Sequence, residues 1–355
     1  MRLIVFSDGH IGEYAEGSID PGTGLNTRLL DTLDVWDWAL TLAKQERADL
    51  VVFGGDRFKP HNPPMWMRDL ADERLNRFRQ EEMPIACLLG NHDIYDKTGK
   101  WHSFRGVQTW NKNLISIFDK PGILDYDGIV FSFLPFGYRE LDRGYSHTDK
   151  NILFFHDSII GMSRDGKYTA NSGIQREALD KDEFSLILGG HIHLRQELAF
   201  HNAPALHIGT PLERIQDGDQ GPKGALIVYI DKEVSLKFVE SPFPKVLHFV
   251  KTWRGDLDEM LQFDRPVASN VVMLLIEHGG DAPSSIRREL EKRILSLGAF
   301  SARVRLQAKV APPLNTNAKV DKKTSIGDQL ISYASQVESD SEVLQHMKEI
   351  RERIG

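Results

Sequence analysis

A chain of 355 residues with 41% hydrophobic and 27% charged residues has an ordinary soluble globular composition, long enough to bury one large core and a second, smaller one. Its formal net charge of −7 excludes a protein that coats nucleic acid by charge alone, so any such contact must be local or assisted by metal ions. The single cysteine, Cys87 in the apolar run IACLLG, excludes an internal disulfide and reads as a buried, inert thiol. No apolar run approaches the roughly eighteen residues of a membrane helix. MRLIVFSDGH meets its first carboxylate too early for a signal peptide, so a cytoplasmic protein with no membrane contact is expected.

To about residue 240, short apolar runs alternate with amphipathic ones, the pattern of an α/β domain. RLIVFS, ADLVVF, PIACLL, NILFFH and FSLILG read as buried strands. Between the first two, LLDTLDVWDWALTLAKQE predicts a helix with Leu30, Leu33, Trp36, Leu40 and Ala43 on one face. MWMRDLADERLNRFRQEE predicts a second helix; it offers a face for a homodimer, although packing on a sheet explains the same apolar positions. GIVFSFLPF and GALIVYIDKEVSLKFVE look antiparallel, so the sheet is expected to be mixed or doubled.

Pro242 and Pro244 mark a boundary between a first domain, residues 1–241, and a smaller one of strands and one helix, residues 242–311. In SARVRLQAKV, Val304, Leu306 and Ala308 alternate with Arg303, Arg305, Gln307 and Lys309, giving one apolar and one basic face. That basic face is either a charge-protected edge strand or a surface that contacts phosphates through Arg303, Arg305 and Lys309. Residues 312–325, rich in Pro, Asn and Lys, read as a linker. Residues 326–355 read as short amphipathic helices that must pack on the body or on a partner.

Each of the five core strands is followed by the same class of residue. SDGH carries Asp8 and His10, GGD carries Asp56, GNHD carries Asn91, His92 and Asp93, FHD carries His156, and GGHIH carries His191 and His193. In open α/β sheets the carboxyl ends of strands share one edge where ligands bind, so five segments deliver metal-binding groups to one place. Asp8, His10, Asp56, Asn91, His156, His191 and His193 are more ligands than one ion needs, and two ions sharing a bridging carboxylate, Asp56, account for them.

The motif series, in order, resembles the calcineurin-like metallophosphoesterases over roughly residues 1–230. That resemblance implies a four-layer β-sandwich flanked by helices, and two divalent ions, Mn²⁺ or Mg²⁺, about 3.5 to 4 Å apart with an acidic bridging water. It assigns Asp8, His10, Asp56 and His193 to one ion, and Asp56, Asn91, His156 and His191 to the other. His92, outside the coordination shell, would face the phosphate and supply a proton to the leaving group, with Asp93 either orienting it or capping the turn.

ALHIGTPLERIQDGDQGPKGALIVYID is similar to a segment of the nuclease component of SbcCD-type repair and recombination exonucleases, in a compact, phage-like layout. The smaller domain then corresponds to a DNA-binding capping domain and the C-terminal helices to a site for an SMC-like ATPase. The implied function is a Mn²⁺-dependent DNA exonuclease with endonuclease activity. One departure is visible: that family carries a second active-site histidine three residues after the GGD aspartate, where this chain has Lys59, with His61 two positions later. Either His61 reaches the site or Lys59 binds phosphate. The alternatives are a small-substrate phosphodiesterase or phosphatase of the same superfamily, and a non-catalytic scaffold protein.

Overall fold

The computed structural model describes residues 1–308 except 16, 97, 108–112, 142–149, 164–168, 214–220 and 281; Lys309, the linker at 312–325 and the helices at 326–355 lie outside the described residues. Met1–Gln307 form one compact unit. Its chain begins with β1 (Arg2–Phe6), α1 (Thr27–Glu46), β2 (Leu50–Phe53), α2 (Met65–Gln80), β3 (Ile85–Leu88) and β4 (Ile115–Phe118). β1 to β4 lie side by side and parallel, in register from Phe6 beside Phe53 to Phe53 beside Cys87.

Alternate residues of these strands face opposite cores. Ile4, Phe6, Val51, Phe53, Ile85 and Cys87 pack under α1 and α2, while Leu3, Val5, Leu50, Val52, Ala86 and Leu88 face a second sheet. Burial on both faces is why the runs are continuously apolar rather than alternating. It also pushes the Cys87 thiol pKa well up, leaving it un-ionised and inert.

The second sheet contains β5 (Gly122–Tyr126), β6 (Ile129–Leu134), β7 (Asn151–His156), β8 (Leu186–Gly190), β9 (Gln196–Glu197) and β10 (Ala205–His207), in the order β5-β6-β7-β8-β10-β9. One turn of helix, α3 (Arg176–Leu179), and loops cover its outer face over Leu153, Phe155, Ile187 and Ala205. The hairpin of β11 (Gly224–Ile230) and β12 (Val234–Glu240) returns to the first sheet, antiparallel beside β1. The layers are therefore helix, sheet, sheet, and loop with one helical turn.

The five chemistry-bearing strands do not share one open sheet: β1, β2 and β3 belong to the first and β7 and β8 to the second. Their carboxyl ends meet across the sandwich. The Gly54 carbonyl lies 2.6 Å from His156 Nδ1, and a Cβ on Gly190 would fall 2.4 Å from Ser7 Oγ, so only glycine permits this approach.

Helix α1 buries Leu29, Leu33, Trp36, Leu40 and Ala43, and Leu30 is only half-buried. The helix starts at Thr27, two residues before the predicted run, where the Asn26 side chain caps it by accepting from the Arg28 and Leu29 amides, and the buried apolar face begins at Leu29 instead of Leu30.

After Pro244 come β13 (Val246–Thr252), α4 (Leu257–Met260), β14 (Val271–His278), α5 (Ile286–Ser296) and β15 (Ser301–Ala308), a three-stranded sheet with β14 in the centre. Leu247, Phe249, Val272, Leu274, Ile276, Leu290, Ile294 and Val304 form a core of its own. Glu213 ties it to the larger sandwich, with Oε2 accepting from the Val246 amide at 2.9 Å.

Candidate metal centre

Four residues at the strand ends, Asp8 (φ 56), His10 (φ 43), Asp56 (φ 61) and His191 (φ 76), hold left-handed backbone conformations. Each costs roughly 1–3 kcal/mol and persists only where the surroundings over-determine it. Here the Asp8 amide donates to the Gly55 carbonyl (2.9 Å), His10 to Asp56 (3.0 Å), and the His191 amide to Asp8 Oδ2 (3.0 Å). These bonds lace the loops after β1, β2 and β8 into one frame.

Within it, Asp8, His10, Asp56 and His156 are buried, and Asn91, His92, His191 and His193 are half-buried. His10 Nε2 stands 3.6 Å from Asp8 Oδ1 and 3.4 Å from Asp56 Oδ2, His193 Nε2 stands 3.5 Å from Asp8 Oδ1, and His156 Nε2 stands 3.4 Å from Asp56 Oδ1. Such separations are long for hydrogen bonds. They suit donors sharing an ion held at about 2.0–2.2 Å from each. The two oxygens of Asp56 thus divide between two groups, one with Asp8, His10 and His193 nearby, the other with His156 and His191. Asn91 Oδ1 lies 2.8 Å from His191 Nδ1 and adds a neutral oxygen to the second group.

The donor set fits divalent ions on its own chemistry. Among the described residues, buried Asp8 Oδ1 and His156 Nε2 have no hydrogen-bond partner. A carbonyl can only accept, so Gly54 fixes the proton of His156 on Nδ1 and leaves the Nε2 lone pair aimed at the cluster, as in metal-bound imidazoles. Burial opposes charge on His156, but the Asp56 carboxylate outweighs it and raises the imidazole pKa to about 10, so the Nε2 position holds a proton that an arriving cation must displace. Burial, with the nearby His156 charge, lowers His191 to about 3. Despite burial, the surrounding histidines hold the Asp8 and Asp56 carboxyls below the usual carboxylate range. Two ionised carboxylates in a buried pocket, answered by one retained proton, describe a place for cations.

His92 lies beside this cluster. Its amide donates to Asp56 Oδ1 (2.8 Å), and its Nδ1 lies 2.7 Å from the Lys59 carbonyl, which fixes the proton there and leaves Nε2 as the working nitrogen. The His61 ring stacks on it at 4.6 Å and 7°, so the longer loop does bring His61 to His92. The Lys59 ammonium turns away, donating to the Glu13 carbonyl (2.9 Å) over the Tyr14 ring.

Asp93 does not touch the His92 ring. Its buried carboxylate accepts from the Asp56, Arg57 and Gly90 amides at 2.8–2.9 Å and from the Ser103 hydroxyl at 2.6 Å. Orientation of His92 comes from Lys59 instead, and Asp93 pins the GGD and GNHD loops to each other. Arg303 and Arg305 lie on β15 of the three-stranded sheet, half-buried and exposed respectively.

Two supporting residues carry no expectation from sequence. Thr210 Oγ1 donates to the Asp8 carbonyl (3.0 Å), and the buried Lys223 ammonium donates to the His193 carbonyl (3.2 Å). Both lie in the segment that runs from the Gly-Thr-Pro turn to the Lys-Gly strand, the signal that could have found them.

A family model described as calcineurin-like phosphoesterase matches residues 1–195. The DNA double-strand break repair protein Mre11 of Sulfolobus acidocaldarius is 26% identical over 245 residues, 64% of this chain and 60% of that protein. Its namesake from Methanopyrus kandleri is 22% identical over 346 residues, 86% of this chain and 70% of its own length. A component of the SbcCD nuclease of Bacillus subtilis is 34% identical over 98 residues, 27% of this chain and 23% of its own. The chain thus spans less than two thirds of the Sulfolobus protein.

Proposed function

The chain belongs to the calcineurin-like phosphoesterase family, and from that premise we propose that it is a two-metal DNA nuclease that hydrolyses phosphodiester bonds in repair. The observation that carries this reading is the Asp56 carboxylate, whose oxygens stand 3.4 Å from His10 on one side and 3.4 Å from His156 on the other. Asp8, His10, Asp56 and His193 would hold one ion, and Asp56, Asn91, His156 and His191 the other. When bound, two divalent ions, Mn²⁺ by preference, supply Lewis-acid polarisation of the phosphoryl group and lower the pKa of the attacking water.

The chain's own residues supply position and protons. With Nδ1–H held by the Lys59 carbonyl, His92 in its imidazolium form has Nε2–H to give to the leaving alkoxide oxygen as the P–O bond breaks. His61, stacked on that ring, fixes its plane. Asp93 keeps the Asp56 and Asn91 loops at constant separation.

DNA as substrate is supported by relatives named as a break-repair protein and as part of a nuclease. Exonuclease and endonuclease action, an SMC-like ATPase partner, a homodimer through α2, and phosphate contacts by Arg303, Arg305 and Lys309 of a capping domain at 242–311 belong to the same reading. A cytoplasmic location agrees with it, and no helix among the described residues is long and apolar enough to cross a membrane.

Digestion of end-labelled duplex DNA by the purified chain, with Mn²⁺, Mg²⁺ or chelator, is the test. Mn²⁺-dependent shortening is expected, and His92→Ala should lower its rate by about 10²–10⁴, the usual worth of a general acid. DNA left intact with a candidate ATPase added, while bis-p-nitrophenyl phosphate is hydrolysed, would reject the nuclease reading and keep the metal centre.

A further inference from the structure

The loop after β6, from Pro135 to Leu141, is fastened to three parts of the metal centre. The Phe136 amide donates to the Leu89 carbonyl (3.0 Å), one residue before Gly90 and two before Asn91. The Phe136 ring lies 5.9 Å from the His191 ring. The Arg139 guanidinium donates through Nη1 to Asp157, the residue after His156. Leu141 then packs into the apolar cluster outside the second sheet and closes the loop. These anchors are the segments that carry Asn91, His191 and His156.

Between the anchors the loop faces outward. Gly137 turns at φ 89, and a Cβ there would meet nothing within 4 Å. Tyr138 is 41% exposed, and the Arg139 side chain is 50% exposed. Asp157, in contrast, is buried, and its other oxygen accepts from the Ser158 amide at 2.8 Å. An ion pair at a surface adds little stability, so the pairing is informative for its geometry. A carboxylate that cannot swing holds one terminal nitrogen of a guanidinium on a half-exposed side chain, lowering the entropy lost when its other nitrogens take a phosphate. The neighbouring tyrosine ring offers a face on which any base can stack.

We propose that Tyr138 and Arg139 form a wall that binds the nucleotide next to the scissile phosphate, Arg139 at its phosphate and Tyr138 at its base. The wall favours polynucleotides over small phosphate diesters. This rests on the nuclease reading and names the residues that select its substrate class. The wall lies on the side of Asp56 that faces His156, whereas Arg303 and Arg305 lie on the separate small sheet.

The experiment compares the 355-residue chain with its Arg139→Gln, Arg139→Lys and Tyr138→Ala variants. Fluorescence anisotropy with a labelled oligonucleotide in chelator reads binding without turnover. Steady-state kinetics with Mn²⁺ then give kcat/KM for the oligonucleotide and for bis-p-nitrophenyl phosphate. Arg139→Gln and Tyr138→Ala should each weaken oligonucleotide binding about tenfold. The ratio of the two kcat/KM values should fall by a similar factor, mainly through KM. Arg139→Gln should also reduce the slope of log affinity against log salt by about one, and Arg139→Lys should restore that slope without the full affinity. Any general damage to the fold lowers both activities together and leaves their ratio alone. Equal binding, equal ratio and equal salt slope in wild type and variants would overturn the wall. A wild-type chain that turns over the small diester but neither binds nor cuts oligonucleotide would overturn the nuclease reading, and this inference with it.

Discussion

The strand-end cluster and the small sheet at 246–308 are built to different tolerances. In the cluster, strained backbone at Asp8, His10, Asp56 and His191 is held by hydrogen bonds from loops far apart in sequence, and its strands are buried on both faces. The small sheet has one face fully packed and the other buried only around Val246, Val271 and Met273, carries exposed Val250 and Arg305, and is tied to the sandwich by Glu213 at Val246. Catalytic geometry must hold within about 0.5 Å, which only the first arrangement provides. A surface that follows a long, flexible ligand can accept the second.

Breaking the cluster should therefore cost activity far more than breaking the small sheet. The largest effect is expected from Asp56→Asn, which removes the charge facing both ligand groups. Activity should fall by about 10³ or more, some 4 kcal/mol at 1.36 kcal/mol per decade. Isothermal titration with Mn²⁺ should show loss of a binding event, and two sites titrating as in wild type would contradict the bridging role.

Asp93→Ala tests the rigidity itself. It strands three buried amides and the Ser103 hydroxyl. At roughly 1–3 kcal/mol for each buried group left unpaired, partly relieved by water, a loss of about 3–5 kcal/mol is expected. Urea denaturation measures it, and a change below 1 kcal/mol would show that the two loops do not depend on this carboxylate.

His207 gives the cluster a pH signature. Burial lowers its imidazole pKa to about 4, below the ordinary 6.5. Between those values the unfolded chain takes up a proton that the folded chain refuses, so stability falls as pH drops from 6.5 toward 4. At 1.36 kcal/mol per unit the loss is on the order of 3 kcal/mol. His156, raised to about 10, contributes the opposite sense: stability full below 6.5 and lost as pH rises toward 10. Urea midpoints of wild type and His207→Gln between pH 7 and 4 separate the two, since His156 is common to both. The variant should lose about 3 kcal/mol less over that range, and parallel curves would refute the assignment.

The same contrast explains what the sequence makes legible. Metal chemistry restricts residue type so strongly that Asp, Asn and His at five strand ends could be named before their distances were known. The side chains that position them bond to backbone atoms, which have no signature. Thr210 serves the carbonyl of Asp8 from 202 residues away, and Asp93 serves amides on two loops. The doubled sheet was open for a related reason. A strand apolar on both faces has no period to say which face meets a helix and which another sheet. The face of α1 is legible at Leu33, Trp36, Leu40 and Ala43, and differs only in its first turn, where Leu29 rather than its neighbour Leu30 is buried.

The smallest effect is expected where the two regions join. Glu213→Ala removes the acceptor of the buried Val246 amide, the first residue of β13, and water can replace part of it. A loss near 1 kcal/mol is expected, which a melting curve barely resolves. Hydrogen exchange resolves it better, because local opening is read region by region. Amides of β13 and β14 should exchange several-fold faster, while those of β1, β2 and β3 keep their protection. If β1 to β3 loosen equally, the small sheet and the sandwich open as one cooperative unit. The tolerances would then belong to a single body, and the strand-end cluster would feel any load placed on the small sheet.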